Sequence, residues 1–181
     1  NSLLKGTSTE EEAQKIELLM NQAGINIQDR KVVGAALQRA KETGGPAAAM
    51  ELDNGRIITG KTTNLLGASA ALLLNVLKEL AGLDHELHII SPESIEPIQK
   101  LKVDYLKSKN PRLHTDEVLI ALSTSAALST DARLALRQLP KLNGCQAHTS
   151  VMLSDVDIKI FKKLGVQLTC EAIYETDQIY H

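Results

Sequence analysis

Residues 47–62 admit two folds, and the tripeptide Asp53–Asn54–Gly55 decides between them. An Asn–Gly pair is among the strongest short-range signals for a hairpin, because both residues tolerate the positive φ that a tight turn demands. Ala47–Leu52 precedes the turn, and Arg56–Ile57–Ile58–Thr59 follows it with side chains branched at Cβ that favour extended backbone. The same stretch also spells a phosphate-loop pattern, Gly55-Arg56-Ile57-Ile58-Thr59-Gly60-Lys61-Thr62. In such a loop the intervening backbone curls so that its N–H groups surround a phosphate, with the Lys on phosphate and the Thr on Mg²⁺. Arg-Ile-Ile-Thr resists that curl. No acidic partner for Mg²⁺ ends the next apolar run either, since Ile89–Ile90 leads into Ser91–Pro92. The segment is expected to be a β-hairpin.

Other elements arrange themselves around that hairpin. Upstream, Thr9 and Glu12 form a capping box for a helix carrying Ala13, Ile16, Leu19 and Ala23, which Gly24 stops. Asp29 caps a second helix with Val33, Ala36, Leu37 and Ala40 on one face, closed by Gly44–Gly45–Pro46. The stripe on this helical hairpin is too narrow to stand alone, so it must pack on something else. After β-type residues 47–59, a cap at Thr63 or Asn64 opens a helix through Leu80 that is apolar nearly all round. Sheet on one side, and the lead-in hairpin or another subunit on the other, are expected to cover it.

Leu87–Ile90 reads as a short strand. Ser94 caps a helix that tolerates Pro97 in its first turn and turns Ile98, Leu101 and Tyr105 or Leu106 inward. Past the Lys107–Arg112 loop, helices start at Thr115 and Thr130. A strand over Cys145–Leu153, a helix from Ser154 to Gly165 and a strand over Val166–Ala172 complete the chain. Strands separated by helices pair in parallel through right-handed crossovers. The expectation is an α/β fold, a three-layer α/β/α arrangement with a mixed sheet of about five strands, preceded by an α-helical hairpin. Residues 1–45 form the lead-in, and 46–181 form the α/β domain with a helical insertion around 108–140.

Composition removes several function classes. A net charge of −2, no Trp, one Phe and three Tyr give neither the basic surplus nor the stacking rings of a nucleic-acid binder. The longest uncharged stretch, from Thr62 to Leu77, falls short of a membrane span. Cys145 and Cys170 lie far apart in strand-like segments and read as free buried thiols of a cytoplasmic protein. The chain opens on Asn1 rather than Met, as a domain excised from a longer protein would.

Several phrases are long and unusual enough to carry a resemblance: Met50–Glu51–Leu52 through Gly60–Lys61–Thr62, Leu65–Leu66–Gly67–Ala68–Ser69, His88–Ile89–Ile90–Ser91–Pro92–Glu93, and Lys109 through Glu117. Over most of its length the chain resembles the C-terminal part of a bacterial family catalogued as domain of unknown function 1846. The resemblance implies a longer intact protein, with a glycine-rich, phosphate-loop-like segment upstream. The order of elements is also similar to the cytidine-deaminase-like fold, whose zinc ligands would fall at Gly67–Ala68–Ser69 and Pro92–Glu93–Ser94–Ile95. No set of N, S or O donors for zinc stands there, so deaminase chemistry is not expected.

Two functional readings follow. In the first, the segment is an accessory or oligomerisation domain that packs on the upstream portion and builds a homo-oligomer, without a cofactor, metal, nucleic acid or membrane. Its motive is the apolar helix and the dependent lead-in. In the second, an anionic or phosphorylated small molecule binds where strands deliver helix N-termini, at Lys61, Thr62, Thr63 and Asn64 and at Ser91, Glu93 and Ser94. Lys61 would then steer the anion, and Glu93 or His114 would act as acid or base. Capping alone also accounts for these Thr, Asn and Ser residues. His148 reads as a hydrogen-bonded strand residue, and no G-x-S-x-G elbow is present.

Overall fold

A computed structural model describes residues 30–172 of the chain. The expected helix from Thr9 to Gly24 lies outside the described residues. Helix α1 (Lys31–Thr43) leads into strand β1 (Ala47–Glu51), which turns back as β2 (Ile57–Lys61). Helix α2 (Ala68–Leu80) follows, then α3 (Pro92–Lys100), which runs on into a π-helical turn at Leu101–Tyr105. Helices α4 (Thr115–Ala126) and α5 (Thr130–Leu136) precede a 3₁₀ turn at Leu139–Leu142. Strand β3 (Gln146–Thr149), helix α6 (Asp155–Lys163) and strand β4 (Gln167–Cys170) complete the described fold.

The phosphate-loop pattern is a hairpin. Leu52 N–H donates to Arg56 C=O at 2.8 Å and Gly55 N–H to Leu52 C=O at 2.9 Å, and Gly55 takes φ 84° to close the turn. β1 and β2 pair antiparallel from Ala47↔Lys61 to Glu51↔Ile57. Gly60 is required for a different reason from the one the motif suggests. A Cβ there would lie 2.3 Å from Leu72 N, so the bare glycine is what lets α2 lie directly on β2.

The sheet has the order β2-β1-β3-β4, with β1 antiparallel to both neighbours and β3 parallel to β4. The sheet is four-stranded among the described residues, one fewer than expected, because Leu87–Ile90 forms no strand. Ile89 and Ile90 are buried nonetheless. Their apolar, branched side chains serve packing, and that demand looks the same in sequence as a demand for strand pairing.

Alternation along β1 supplies both faces of the sheet. Ala49 joins Val32, Val33 and Ala36 of α1 in a small core on one side, with Ile57 beside it. Ala48, Met50 and Ile58 face the main core, which also holds Leu72, Leu73, Leu77, Leu122, Phe161 and Val166. The lead-in helix is thus one layer of the three, and Leu37, expected on its inner face, is exposed. In α2, Ala68 to Leu74, Val76 and Leu77 are buried. The sheet covers one side and α4 and α5, from the expected insertion, cover another. The apolar helix therefore finds its cover within the domain. Beyond α3 the expectation fails in a second place: Leu101, Tyr105 and Leu106 point outward, because the π-helical turn rotates them off the inner stripe.

Candidate functional site

A cleft of about 540 Å³ runs along the outer edge of β2, which pairs with no further strand among the described residues. That volume falls within the range of small-molecule sites. Leu65, Leu66, Leu74, Leu87, Ile89 and Ile95 give it aliphatic walls. Its charged lining residues among the described ones are all cations: Arg39 from α1, Lys61 from β2 and Lys78 from α2. Lys78 is engaged, donating to the carbonyls of His85 at 2.8 Å and Leu87 at 3.3 Å, and burial lowers its pKa. Arg39 and Lys61 have no carboxylate partner among the described residues, and the buried Arg39 Nε has no acceptor. A donor shielded from water without an acceptor costs about 1–3 kcal/mol.

The strand edge contributes further donors. In antiparallel pairing, alternate residues bond across the ladder and those between turn their polar groups outward. Leu52–Arg56 and Thr62–Pro46 are bonded across the β1–β2 ladder, so Thr59 and Lys61 present N–H and C=O to the cleft side. Asn75 Nδ2 of α2 caps the Thr59 carbonyl at 3.0 Å. The N–H groups of Thr59 and Lys61 have no partner among the described residues.

Of the residues singled out in the sequence, Lys61, Thr63 and Asn64 line this cleft. Thr62, Ser91, Glu93, Ser94 and His114 are not among its lining residues. The expected helix N-terminus behind Lys61–Asn64 also lies elsewhere. Thr63 Oγ1 accepts from Leu65 N–H at 3.1 Å and Leu66 N–H at 3.0 Å, capping a turn of its own, and α2 starts only at Ala68. Leu66 is diverted into a parallel bridge with Leu113, which delays the helix. Ser91, Glu93 and Ser94 end no strand. They form the start of α3, where the Ser91 and Ser94 hydroxyls bond each other at 3.0 Å. Arg39, Asn75 and Lys78 were not foreseen, because each is a lone polar residue on a helix, and nothing in the spacing along α1 or α2 aims it at β2.

His114 belongs to a second constellation, where the first turns of three helices meet on one carboxylate. Asp157, from the first turn of α6, accepts from Thr115 N–H at 3.0 Å and Thr115 Oγ1 at 2.6 Å in α4, and from Ser69 Oγ at 3.2 Å in α2. It is 4% exposed. His114 approaches it with Nδ1 at 3.5 Å from Oδ2. Burial alone would raise the Asp157 carboxyl, but His114 and the two Thr115 donors hold it below its ordinary value. The Asp157 contact in turn lifts the His114 imidazole above its ordinary value, against the opposing effect of burial. Helix N-termini carry partial positive charge, so this internal carboxylate does there what a bound anion would do. Glu117 Oε1 ties the same corner together, accepting His114 N–H and Lys102 Nζ, each at 2.8 Å.

A third polar cluster is structural. Arg30 Nη1 donates to Thr169 Oγ1 at 2.9 Å, Thr169 meets His148 Nδ1 at 2.6 Å, and His148 Nε2 meets Glu171 at 2.7 Å. With the carboxylate as acceptor, Arg30 donates to Thr169, Thr169 to His148 and His148 to Glu171. That places the proton of a neutral imidazole on Nε2. Burial lowers the His148 pKa, in keeping with that neutral form. Among the described residues no group of three or more His, Cys, Asp or Glu is placed to hold a metal ion, and no helix is long and apolar enough to cross a membrane.

Residues 28–180 match the family model for the domain of unknown function DUF1846, C-terminal. A UPF0371 protein of Corynebacterium efficiens is 56% identical over 168 residues, covering 93% of this chain and 34% of the relative. One from Corynebacterium glutamicum is 54% identical over 166 residues, with 92% and 34% covered. A UPF0371 protein of Streptococcus thermophilus is 48% identical over 167 residues, with the same shares. The chain thus spans about a third of the length of these relatives. It belongs to the DUF1846 family, and what it contributes is that family's C-terminal domain.

Proposed function

We propose that this domain is an accessory ligand-binding unit of a longer cytoplasmic bacterial protein, and that the β2-edge cleft takes an amphipathic anion. One observation carries the reading. Among the described residues, Arg39 and Lys61 enter a mainly aliphatic cleft with no carboxylate to neutralise them, and Arg39 Nε is shielded from water without an acceptor. An anionic group on the ligand would meet that donor while its apolar body displaces water from the walls. The reading is one of binding rather than catalysis, since Glu93 and His114 do not line the cleft. The test is a thermal-shift panel of amphipathic anions against the parent protein and Arg39→Ala. Stabilisation that the substitution abolishes is expected. A flat response across the panel would retire the proposal.

Oligomerisation is a second reading, favoured by one feature. Leu101, Val103, Tyr105 and Leu106 are all exposed within six residues. Such a strip suits contact with another copy or with the upstream part of the protein. Light scattering after size exclusion checks it: a monomer at high concentration would exclude self-association.

A further inference from the structure

We infer that the ligand of the β2-edge cleft is an aliphatic carboxylic acid rather than a nucleotide or sugar phosphate; this rests on the cleft being a ligand site at all. The walls decide the body of the ligand. Leucine and isoleucine dominate them, and no Phe, Tyr or Trp is among the lining residues. The one ring in the lining is the exposed imidazole of His88, a small stacking face for a nucleobase, and a sugar would leave its hydroxyls against hydrocarbon with too few partners. A branched or linear alkyl chain meets surfaces of its own kind.

The polar rim decides the head. Its donors without a partner among the described residues are the Arg39 guanidinium, the Lys61 ammonium and the outward N–H groups of Thr59 and Lys61. A planar carboxylate takes two parallel donors from a guanidinium and has little else to satisfy. A phosphate brings more oxygens and more charge. The usual additions that bind one, a glycine-rich cradle and an acidic residue holding Mg²⁺, are missing from the lining, where the one glycine, Gly60, lies within strand β2. The Asn75 amide already occupies the Thr59 carbonyl, which leaves the edge richer in donors than in acceptors, as an anion requires.

The experiment titrates the 181-residue chain with octanoate, below its micellar range, and separately with AMP, ATP and inorganic phosphate. Melting temperature and calorimetric heat are followed in the parent, Arg39→Ala and Lys61→Ala proteins. Octanoate is expected to bind and the phosphates not. Each substitution should weaken octanoate by about tenfold, the loss of one charge-assisted hydrogen bond, while unliganded Lys61→Ala melts like the parent and unliganded Arg39→Ala no lower than it. Nucleotide binding that depends on Arg39, with octanoate silent, would overturn the aliphatic assignment and keep the cleft as a ligand site. Silence from every compound would overturn both. Octanoate binding undiminished in both variants would place it elsewhere and also overturn the inference.

Discussion

Replacing Gly60 by alanine puts a methyl group where the backbone of α2 already lies. The new Cβ would stand 2.3 Å from Leu72 N, 2.5 Å from Leu72 Cα and 2.9 Å from the Ala71 carbonyl carbon. All three are helix backbone atoms, so no side chain can rotate away. Unstrained carbon contacts are about 3.5–4.0 Å, which means α2 must withdraw by roughly 1 Å, and a gap of that size forfeits a quarter to a half of each dispersion contact. Leu72, Leu73, Val76 and Leu77 would all loosen together, since they share one rigid helix with no exposure to spare. Overpacking of this kind costs up to about 3 kcal/mol, which lowers the melting temperature by about 6–12 °C in a chain of this size. Urea denaturation of Gly60→Ala, with an unchanged slope, gives the number directly. A loss below about 0.5 kcal/mol would refute the argument, because it would show that α2 does not rest on Gly60. The substitution also separates the two readings of the motif. A phosphate-loop glycine would cost nucleotide binding with stability intact, whereas this one costs stability.

Other predictions follow from the same geometry. Gly34 sits inside α1 with no atom within 4 Å of a would-be Cβ, so Gly34→Ala should add about 0.5–1 kcal/mol, measured by urea midpoint; a destabilised variant would mean α1 is packed differently. Stability should also peak between the titrations of Asp157 and His114. The Asp157 contribution is present above its ordinary value of 3.8 and lost as pH falls through its lowered folded value. The His114 contribution is present below its ordinary value of 6.5 and lost as pH rises through its raised folded value. His114→Gln should therefore remove the decline in urea midpoint that begins above pH 6.5 and should shrink the acid limb without abolishing it, since the Thr115 donors still hold Asp157; a variant that tracks the parent across both limbs would disprove the coupling.

How much of the site was legible follows the range of the interactions involved. Lys61, Thr63 and Asn64 were found because a hairpin must deliver its last residues to the sheet edge, and that is a local consequence of one turn. Arg39, Asn75 and Lys78 join them only because α1 and α2 cover opposite faces of the sheet and both reach the edge of β2. Asp157 gave no signal either. A residue in the first turn of an amphipathic helix reads as an ordinary cap, and its importance comes from two other helices starting at the same point, 42 and 88 positions away.

Local chemistry was enough to identify the hairpin, α1, α2, α6, β3 and β4, since turn residues, caps and hydrophobic period act within a few positions. The amino-acid order could not tell a buried loop from a strand at Leu87–Ile90, because burial and pairing favour the same side chains there. Nor could it say that the apolar helix would be covered from within, or that Asp157 would occupy the helix N-termini as an internal anion. Those outcomes depend on which surfaces meet in space, and packing partners distant in the chain leave no periodic trace along it.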